Sequence, residues 1–209
     1  GSAYDTKVTS GLAGVTKHLM PLGAAGMNEE AITNAFADIG AQRGGSVDAD
    51  RASFSLRTLR SEQEKALEIF NRILHQPDFP EAVLAREKTR IVSGLQEAAT
   101  KPTYIANKAF MQALYGTHPY HLQENGEIDT VKALTSKDLK AFYQQHYNAK
   151  GAVIAIIGDL TRAEATAIAE VLSAGLPQSA GESSIPAVPF PKVAVKKTIQ
   201  HPASQAHIL

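Results

Sequence analysis

The sequence predicts an α+β fold, and three observations support that prediction. Over most of residues 1–176, apolar side chains recur at helical spacing. Two segments, 46–59 and 152–157, instead have the patterns of strands. Helices and strands do not alternate regularly, which excludes repeated βαβ units. With 44% hydrophobic and 20% charged residues, the chain of 209 residues is globular and long enough to bury a substantial core.

Two helices are predicted before the first strand. Ser10 is the expected N-cap of a helix over residues 11–20. Asn28 is the expected N-cap of a second helix, which ends at Gly40. Apolar and polar residues then alternate over 46–59, so this segment is the first predicted strand.

Three consecutive helices are predicted in the middle of the chain. Ser61 and Glu64 have the spacing of a capping box at the start of the first of them. The next, a long helix over 81–99, follows Pro80. The last begins at Pro102, a residue type that is well tolerated in a first helical turn.

The part of the chain that follows is predicted to contain a polar loop, two helices and a buried strand. The loop covers 116–126, and Ser136 is the expected cap of the helix after it. The nearly continuous apolar run 152–157 predicts a central strand that is shielded on both faces. Thr161 and Glu164 have the spacing of a second capping box, at the start of the last helix.

A change in composition divides the chain into three parts. Residues 1–176 form the predicted domain, and the Pro-rich segment 177–192 is typical of a linker. Apolar residues alternate again after the linker, so 193–209 is expected to begin a second domain.

Composition excludes several classes of function. The chain has 21 basic and 21 acidic residues and no net charge, which argues against a dedicated nucleic-acid-binding protein. The absence of cysteine excludes disulfides, thiolate zinc sites and a cysteine nucleophile. The most apolar stretch, 152–157, is far shorter than the ~18 residues of a membrane span, so a soluble chain is expected.

Two neighbouring histidines are the first candidate metal ligands. His118 and His121 are three residues apart, and Glu124 is close to them in the sequence. Pro119 and the glycine before His118 place this pair in a loop, and no third ligand is evident. The pattern therefore favours a turn with exposed histidines over a metal site.

Five segments together resemble the M16 metallopeptidases, the family of pitrilysin, insulinase and mitochondrial processing peptidase. They follow one another with compatible spacing over nearly the whole chain: 11–20, 28–40, 52–59, 115–120 and 142–159. The last matches best, since the family pattern there is F-Y-x-x-x-Y, a few residues, then an apolar strand ending in G-D. The resemblance implies an antiparallel or mixed sheet with helices packed on one face. It also implies that earlier strands of this sheet precede the chain, which begins inside a strand.

The resemblance breaks at the zinc site. In the family motif H-x-x-E-H, two imidazoles bind zinc and the glutamate is the general base. Aligned on this sequence, the first histidine falls on Gly14, the glutamate falls on Lys17, and only the second histidine is kept, as His18. The third zinc ligand, a glutamate on the long helix, falls on Gly94. The resemblance therefore implies that this chain has no catalytic residue and holds no metal, and that zinc is bound only by a partner subunit.

Two acidic residues of the long helix are the remaining candidate ligands. Glu87 matches a second family acid, and Glu97 lies one turn beyond Gly94, from where it would reach inward. Lys17 is expected to pair with Glu87 and to repel a divalent cation, and His18 is expected to pack or hydrogen-bond locally. The two glycines indicate either close packing or relaxed selection, because glycine costs ~1 kcal/mol inside a helix.

The resemblance leaves three functions open. The preferred one is a non-catalytic subunit that forms a heterodimer with an H-x-x-E-H-bearing M16 subunit, the two enclosing a chamber that binds peptides. The second is a structural homologue of the type found in the core subunits of the bc1 complex. The third is a divergent zinc peptidase that uses His18 with Glu87 or Glu97. The resemblance further implies a periplasmic location, with the cytoplasm as the alternative.

Overall fold

The computed structural model describes residues 1–177 and 184–202. These residues form eight α-helices: α1 (Leu12–Leu19), α2 (Glu29–Asp38), α3 (Gln63–His75), α4 (Glu81–Ala98), α5 (Pro102–Tyr115), α6 (Ile128–Ala133), α7 (Ser136–His146) and α8 (Arg162–Ala174). They also form two antiparallel pairs of short strands: β1 (Gly23–Ala24) with β2 (Met27–Asn28), and β3 (Gln42–Gly44) with β4 (Ser55–Arg57). The predicted α+β class is confirmed, with sheets much smaller than expected.

Helix α1 lies in the centre of the core and packs against α7. Its residues Val15 and Leu19 are buried together with Leu139 and Phe142 of α7. Burial of these side chains holds α1 in place, because burying one large apolar side chain stabilises a fold by roughly 1.5–3 kcal/mol. The two residues of α1 that face outward between these buried positions are Lys17 and His18.

The cap of α1 differs from the prediction. The buried carboxylate of Asp5 accepts hydrogen bonds from the backbone nitrogens of Gly11 (2.8 Å) and Ala13 (3.0 Å), and Gly11 is left-handed with φ 94°. The hydroxyl of Ser10, the predicted cap, instead donates to the carbonyl of Gln123. The prediction was wrong because the cap comes from an earlier segment, which local spacing does not reveal.

The four other predicted caps depend on contacts between near neighbours, and two of them are confirmed. Asn28 accepts from the backbone nitrogen of Ala31 at 2.9 Å, and Thr161 forms the predicted capping box with Glu164. The capping box predicted at Ser61 is wrong, because α3 begins at Gln63 after a 3-10 turn.

The structure also corrects the predictions for two further helices. Helix α7 begins at Ser136 but is capped by the preceding residue, Thr135, which forms a capping box with Asp138. The short helix α6 was missed, although Glu127 and Thr130 form a capping box at its start. A six-residue helix offers too few apolar positions for a periodicity to be visible.

Both predicted strands of the first domain are corrected by the structure. Of the segment 46–59, only β4 is a strand, and it pairs with β3, which precedes the predicted segment. Residues 152–157 do not form a strand, and Val153 and Ile157 are 93% and 98% exposed. The prediction of a buried strand was wrong because no strand in the described part of the chain lies beside this segment to pair with its backbone.

The boundaries of the predicted linker and second domain stay predictions. Val193 and Val195 of the predicted second domain are exposed and are not in a strand. Residues 178–183 of the linker and 203–209 of the second domain lie outside the described residues. Among the described residues, no helix is both long enough and apolar enough to cross a membrane.

Candidate functional site

Helices α1 and α4 carry all the residues that align with the family's zinc site. Three of them, Gly14, Lys17 and His18, are on α1, and Gly94 is on α4 with the two candidate acids. The structure brings only His18 and Glu87 into contact, through a hydrogen bond of 2.9 Å from His18 Nε2 to Glu87 Oε2.

Glu87 is a buried carboxylate at the centre of a charged network. It is 1% exposed, and it accepts hydrogen bonds from Arg86 Nε at 2.8 Å and Arg90 Nη1 at 3.2 Å in addition to His18. Burial raises the pKa of Glu87, but the hydrogen bonds from His18 and Arg86 and the charge of Arg90 outweigh it, and the pKa lies below its usual value. Glu87 is therefore an ionised group whose charge is already compensated.

The expected pairing of Lys17 with Glu87 is wrong, and so is the expected local contact of His18. Lys17 precedes His18 by one residue, which turns its side chain ~100° around the helix, away from α4. Lys17 Nζ donates instead to the carbonyl of Gly45, at 2.6 Å, and lies 5.8 Å from the centre of the Phe54 ring. His18 therefore forms the contact with Glu87, 69 residues away in the sequence.

A small cavity lies beside Lys17. It has a volume of about 60 Å³ and is lined by Lys17, Arg43, Phe54, Phe70 and other residues near them. Burial, and then the positive charge of Arg43, lower the pKa of the Lys17 ammonium group. Burial also lowers the pKa of Arg43, with Glu29 acting in the opposite direction. Two cationic side chains that interact electrostatically therefore line this cavity.

The two helical glycines have different explanations. A Cβ atom on Gly14 would lie 2.8 Å from the carbonyl oxygen of Glu124, whereas a Cβ on Gly94 would meet no atom within 4 Å. Gly14 is therefore required by close packing against backbone, and Gly94 is not. Glu97, the alternative ligand of α4, does not reach inward: its side chain is 71% exposed and accepts from Lys101 Nζ at 2.7 Å.

The residues at this position do not fit a catalytic zinc ion, which needs three protein ligands with room around them. At position 14 the Glu124 backbone occupies the space that an imidazole requires. Nε2 of His18 is engaged by Glu87, and Gly94 has no side chain to donate. Across residues 1–177 and 184–202, no group of three His, Cys, Asp or Glu side chains is arranged to hold a metal ion.

The other candidate ligands, His118 and His121, lie in a turn as predicted, but His118 is not exposed. His118 is 4% exposed, its Nε2 donates to the carbonyl of Pro186 at 2.8 Å, and its Nδ1 accepts from the backbone of Tyr120. His121 Nδ1 donates to the carbonyl of His118 at 2.8 Å. The expected exposure of His118 was wrong because the segment after α8 returns to cover it, and both of its ring nitrogens are already used.

Three residues of the site were not singled out from the sequence. Arg90 has a detectable signal, since it lies three residues after Glu87 on the same helix and faces the same side. Arg86 connects Glu87 to Glu29 of α2 through an ion pair of 2.6 Å, and Arg43 reaches the site from β3. The contacts of Arg86 and Arg43 depend on how α2, α4 and β3 pack, so a single sequence contains no pattern for them.

Two family models match the chain. The model described as Insulinase (Peptidase family M16) matches residues 1–125, and the model described as Peptidase M16 inactive domain matches residues 133–209. The first of these covers more than half of the chain.

Individual relatives agree with these matches. A crystal structure of a peptidase M16 inactive domain from Pseudomonas fluorescens is 35% identical, with a TM-score of 0.86, over 90% of this chain and 46% of that one. An uncharacterized zinc protease of Rickettsia felis is 22% identical over 90% of this chain and 45% of that protein. Bovine cytochrome b-c1 complex subunit 1 is 23% identical over 89% of this chain and 39% of that protein. The chain thus spans less than half the length of these relatives.

Proposed function

Because the chain belongs to the M16 peptidase family, we propose that it is part of a non-catalytic M16 subunit. In this proposal it pairs with an active subunit that carries the H-x-x-E-H motif, and the two enclose a chamber that binds peptides. Zinc is bound by the active subunit alone, and the periplasm is the proposed location.

The contact between α1 and α4 is the observation that carries this proposal. At the position where the family holds zinc, His18 donates to Glu87, and Glu87 also accepts from Arg86 and Arg90. A catalytic zinc lowers the pKa of a bound water, and a general base then accepts the proton. Lys17 occupies the position of that base and, as an ammonium group that donates to Gly45, does not accept a proton.

The similarity to an M16 inactive domain also supports the proposal. That structure matches 90% of this chain at 35% identity, the highest identity among the relatives described above. In this proposal the chain binds no zinc, so it contributes to proteolysis only through binding or through assembly with an active subunit. The proposal assigns both of these roles to it.

Co-expression tests the proposed pairing. The protein is produced with an affinity tag together with an H-x-x-E-H-bearing M16 protein from the same organism, and the purified material is examined for a complex and for peptide hydrolysis. We expect the two proteins to co-purify in equal amounts and the mixture to hydrolyse peptides faster than the active protein alone. Replacing the motif glutamate of the active protein by glutamine should abolish hydrolysis and leave the complex intact.

Two results would contradict the pairing. One is the absence of a complex at micromolar concentrations of both proteins. The other is a complex whose peptide hydrolysis survives the replacement of the motif glutamate in the active protein, because this chain would then contribute catalysis of its own.

A structural role is the second candidate function, and one observation favours it. Subunit 1 of the bovine cytochrome b-c1 complex matches 89% of this chain at 23% identity. Under this alternative the protein would purify with a membrane-bound assembly and would not increase the activity of any M16 peptidase. Fractionating cells into membrane and soluble parts separates the two candidates.

A further inference from the structure

Positive charge exceeds negative charge around the degenerate site. Four basic side chains lie here: Lys17, Arg43, Arg86 and Arg90. Two carboxylates, Glu29 and Glu87, interact with the three arginines, whereas Lys17 interacts with Arg43. Both carboxylates are already bound by arginine: Glu29 by Arg86, and Glu87 by Arg86 and Arg90.

Lys17 and Arg43 are the cations that form no ion pair with either carboxylate, and Glu29 acts on Arg43 only from a distance. In the described part of the chain, no carboxylate lies within ion-pair distance of Lys17 Nζ or of the Arg43 guanidinium. Both side chains are half-buried, so they have lost part of their hydration without gaining a counter-ion. An anion placed between them would recover that loss.

The cavity beside Lys17 has the size and the lining to accept such an anion. Its volume of about 60 Å³ is several times the ~10–15 Å³ of cavity that one water molecule needs. Phe54, Phe70 and Ile73 form apolar walls next to the two cations. Apolar walls lower the local dielectric constant and strengthen the attraction between a cation and a bound anion.

We propose that Lys17 and Arg43 form a binding site for a carboxylate group of a peptide. The planar guanidinium of Arg43 matches a carboxylate through two parallel hydrogen bonds, and the Lys17 ammonium supplies a further donor. The inference rests on the proposed function for the presence of peptides and adds the chemistry that this chain recognises. The proposed site lies on the side of α1 that carries Lys17, turned away from α4 and from the aligned zinc position.

A peptide offers a carboxylate in two ways, as an acidic side chain or as its C-terminus. Three peptides of equal length, each with an uncharged dansyl label, distinguish them: one with acidic residues and an amidated C-terminus, one with Asn and Gln instead and a free C-terminus, and one with neither carboxylate. Their dissociation constants for the purified protein are measured by fluorescence anisotropy at low salt. We expect at least one of the first two to bind about tenfold more tightly than the third.

Variants test whether the two cations are responsible. Lys17→Gln and Arg43→Gln should each weaken the binding of the preferred peptide about tenfold and leave the peptide without carboxylates unaffected. Lys101→Gln removes an equally charged side chain that does not line the cavity, and it should have no effect. Circular dichroism spectra establish that the variants are folded.

Three results would overturn the inference: equal binding of all three peptides, no binding of any, or the same affinity in the Lys17, Arg43 and Lys101 variants. A single-stranded oligonucleotide that binds as tightly as the acidic peptide would also overturn it, because the site would then be a general polyanion surface. Formation of the complex with the active subunit is measured for the same variants. Intact complexes with no carboxylate preference refute this inference alone, and the absence of any complex refutes the proposed pairing.

Discussion

Replacing Glu87 by alanine should lower the free energy of unfolding by about 2–3 kcal/mol, the largest effect expected in this site. The substitution removes a carboxylate that is 1% exposed and leaves a cavity between α4 and α1. It also removes the acceptor for His18, Arg86 and Arg90. Because these three side chains are 48–71% exposed and regain water, the loss lies at or below the lower end of the ~3–5 kcal/mol range for breaking a buried ion pair.

A matched control for this substitution lies on the same helix. Glu97 aligns near the same zinc site, but its side chain is exposed and its ion pair is with Lys101, so Glu97→Ala should leave the denaturation midpoint unchanged within error. Urea denaturation of both variants, followed by circular dichroism, makes the comparison. Equal effects of the two substitutions would mean that the Glu87 network does not hold α1 and α4 together.

Alanine at position 14 should destabilise the protein by up to about 2 kcal/mol, the second-largest effect expected. The new Cβ would lie 2.8 Å from the carbonyl oxygen of Glu124, and overpacking against backbone typically costs 1–3 kcal/mol. The gain in helix propensity from glycine to alanine, ~1 kcal/mol, offsets part of that cost.

Gly94→Ala is the control for position 14, and the expected sign is opposite. A Cβ on Gly94 meets no atom within 4 Å, so only the gain in helix propensity remains, and we expect a stabilisation of ~1 kcal/mol. Both variants are measured by urea denaturation in one buffer. A stabilising Gly14→Ala would show that the space beside α1 is open, and the argument that an imidazole cannot be placed there would fail.

The sequence predicted those parts of the fold that depend on neighbouring residues. The Asn28 cap and the capping box of Thr161 and Glu164 involve residues three positions apart, so local spacing reveals them, although the same spacing at Ser61 and Glu64 does not mark a cap. The cap of α1 comes from Asp5, which reaches the helix only in the folded protein. Whether 152–157 is buried or exposed likewise depends on which segments lie beside it in the folded protein. An apolar run predicts a strand only where a neighbouring strand is available to pair with it.

The sequence predicted which residues lie at the site but not which of them contact one another. Alignment with the family placed Gly14, Lys17 and His18 on one helix and Gly94 on another, as the structure has them. It did not indicate that His18 rather than Lys17 would contact Glu87, because that choice depends on the rotation of α1 about its axis. Arg43 comes from a strand outside every zinc-motif segment, and only the packing of β3 beside α1 brings it to the site.

Zinc content is the measurement that tests the central claim, that the family's metal centre is absent from this chain. The purified protein is incubated with excess zinc, dialysed against metal-free buffer and analysed for metal, next to a His18→Ala variant treated in the same way. We expect far less than one zinc ion per chain, with no difference between the two proteins, because the only retained ligand is engaged by Glu87. One zinc ion per chain that is lost in the His18→Ala variant would contradict the account.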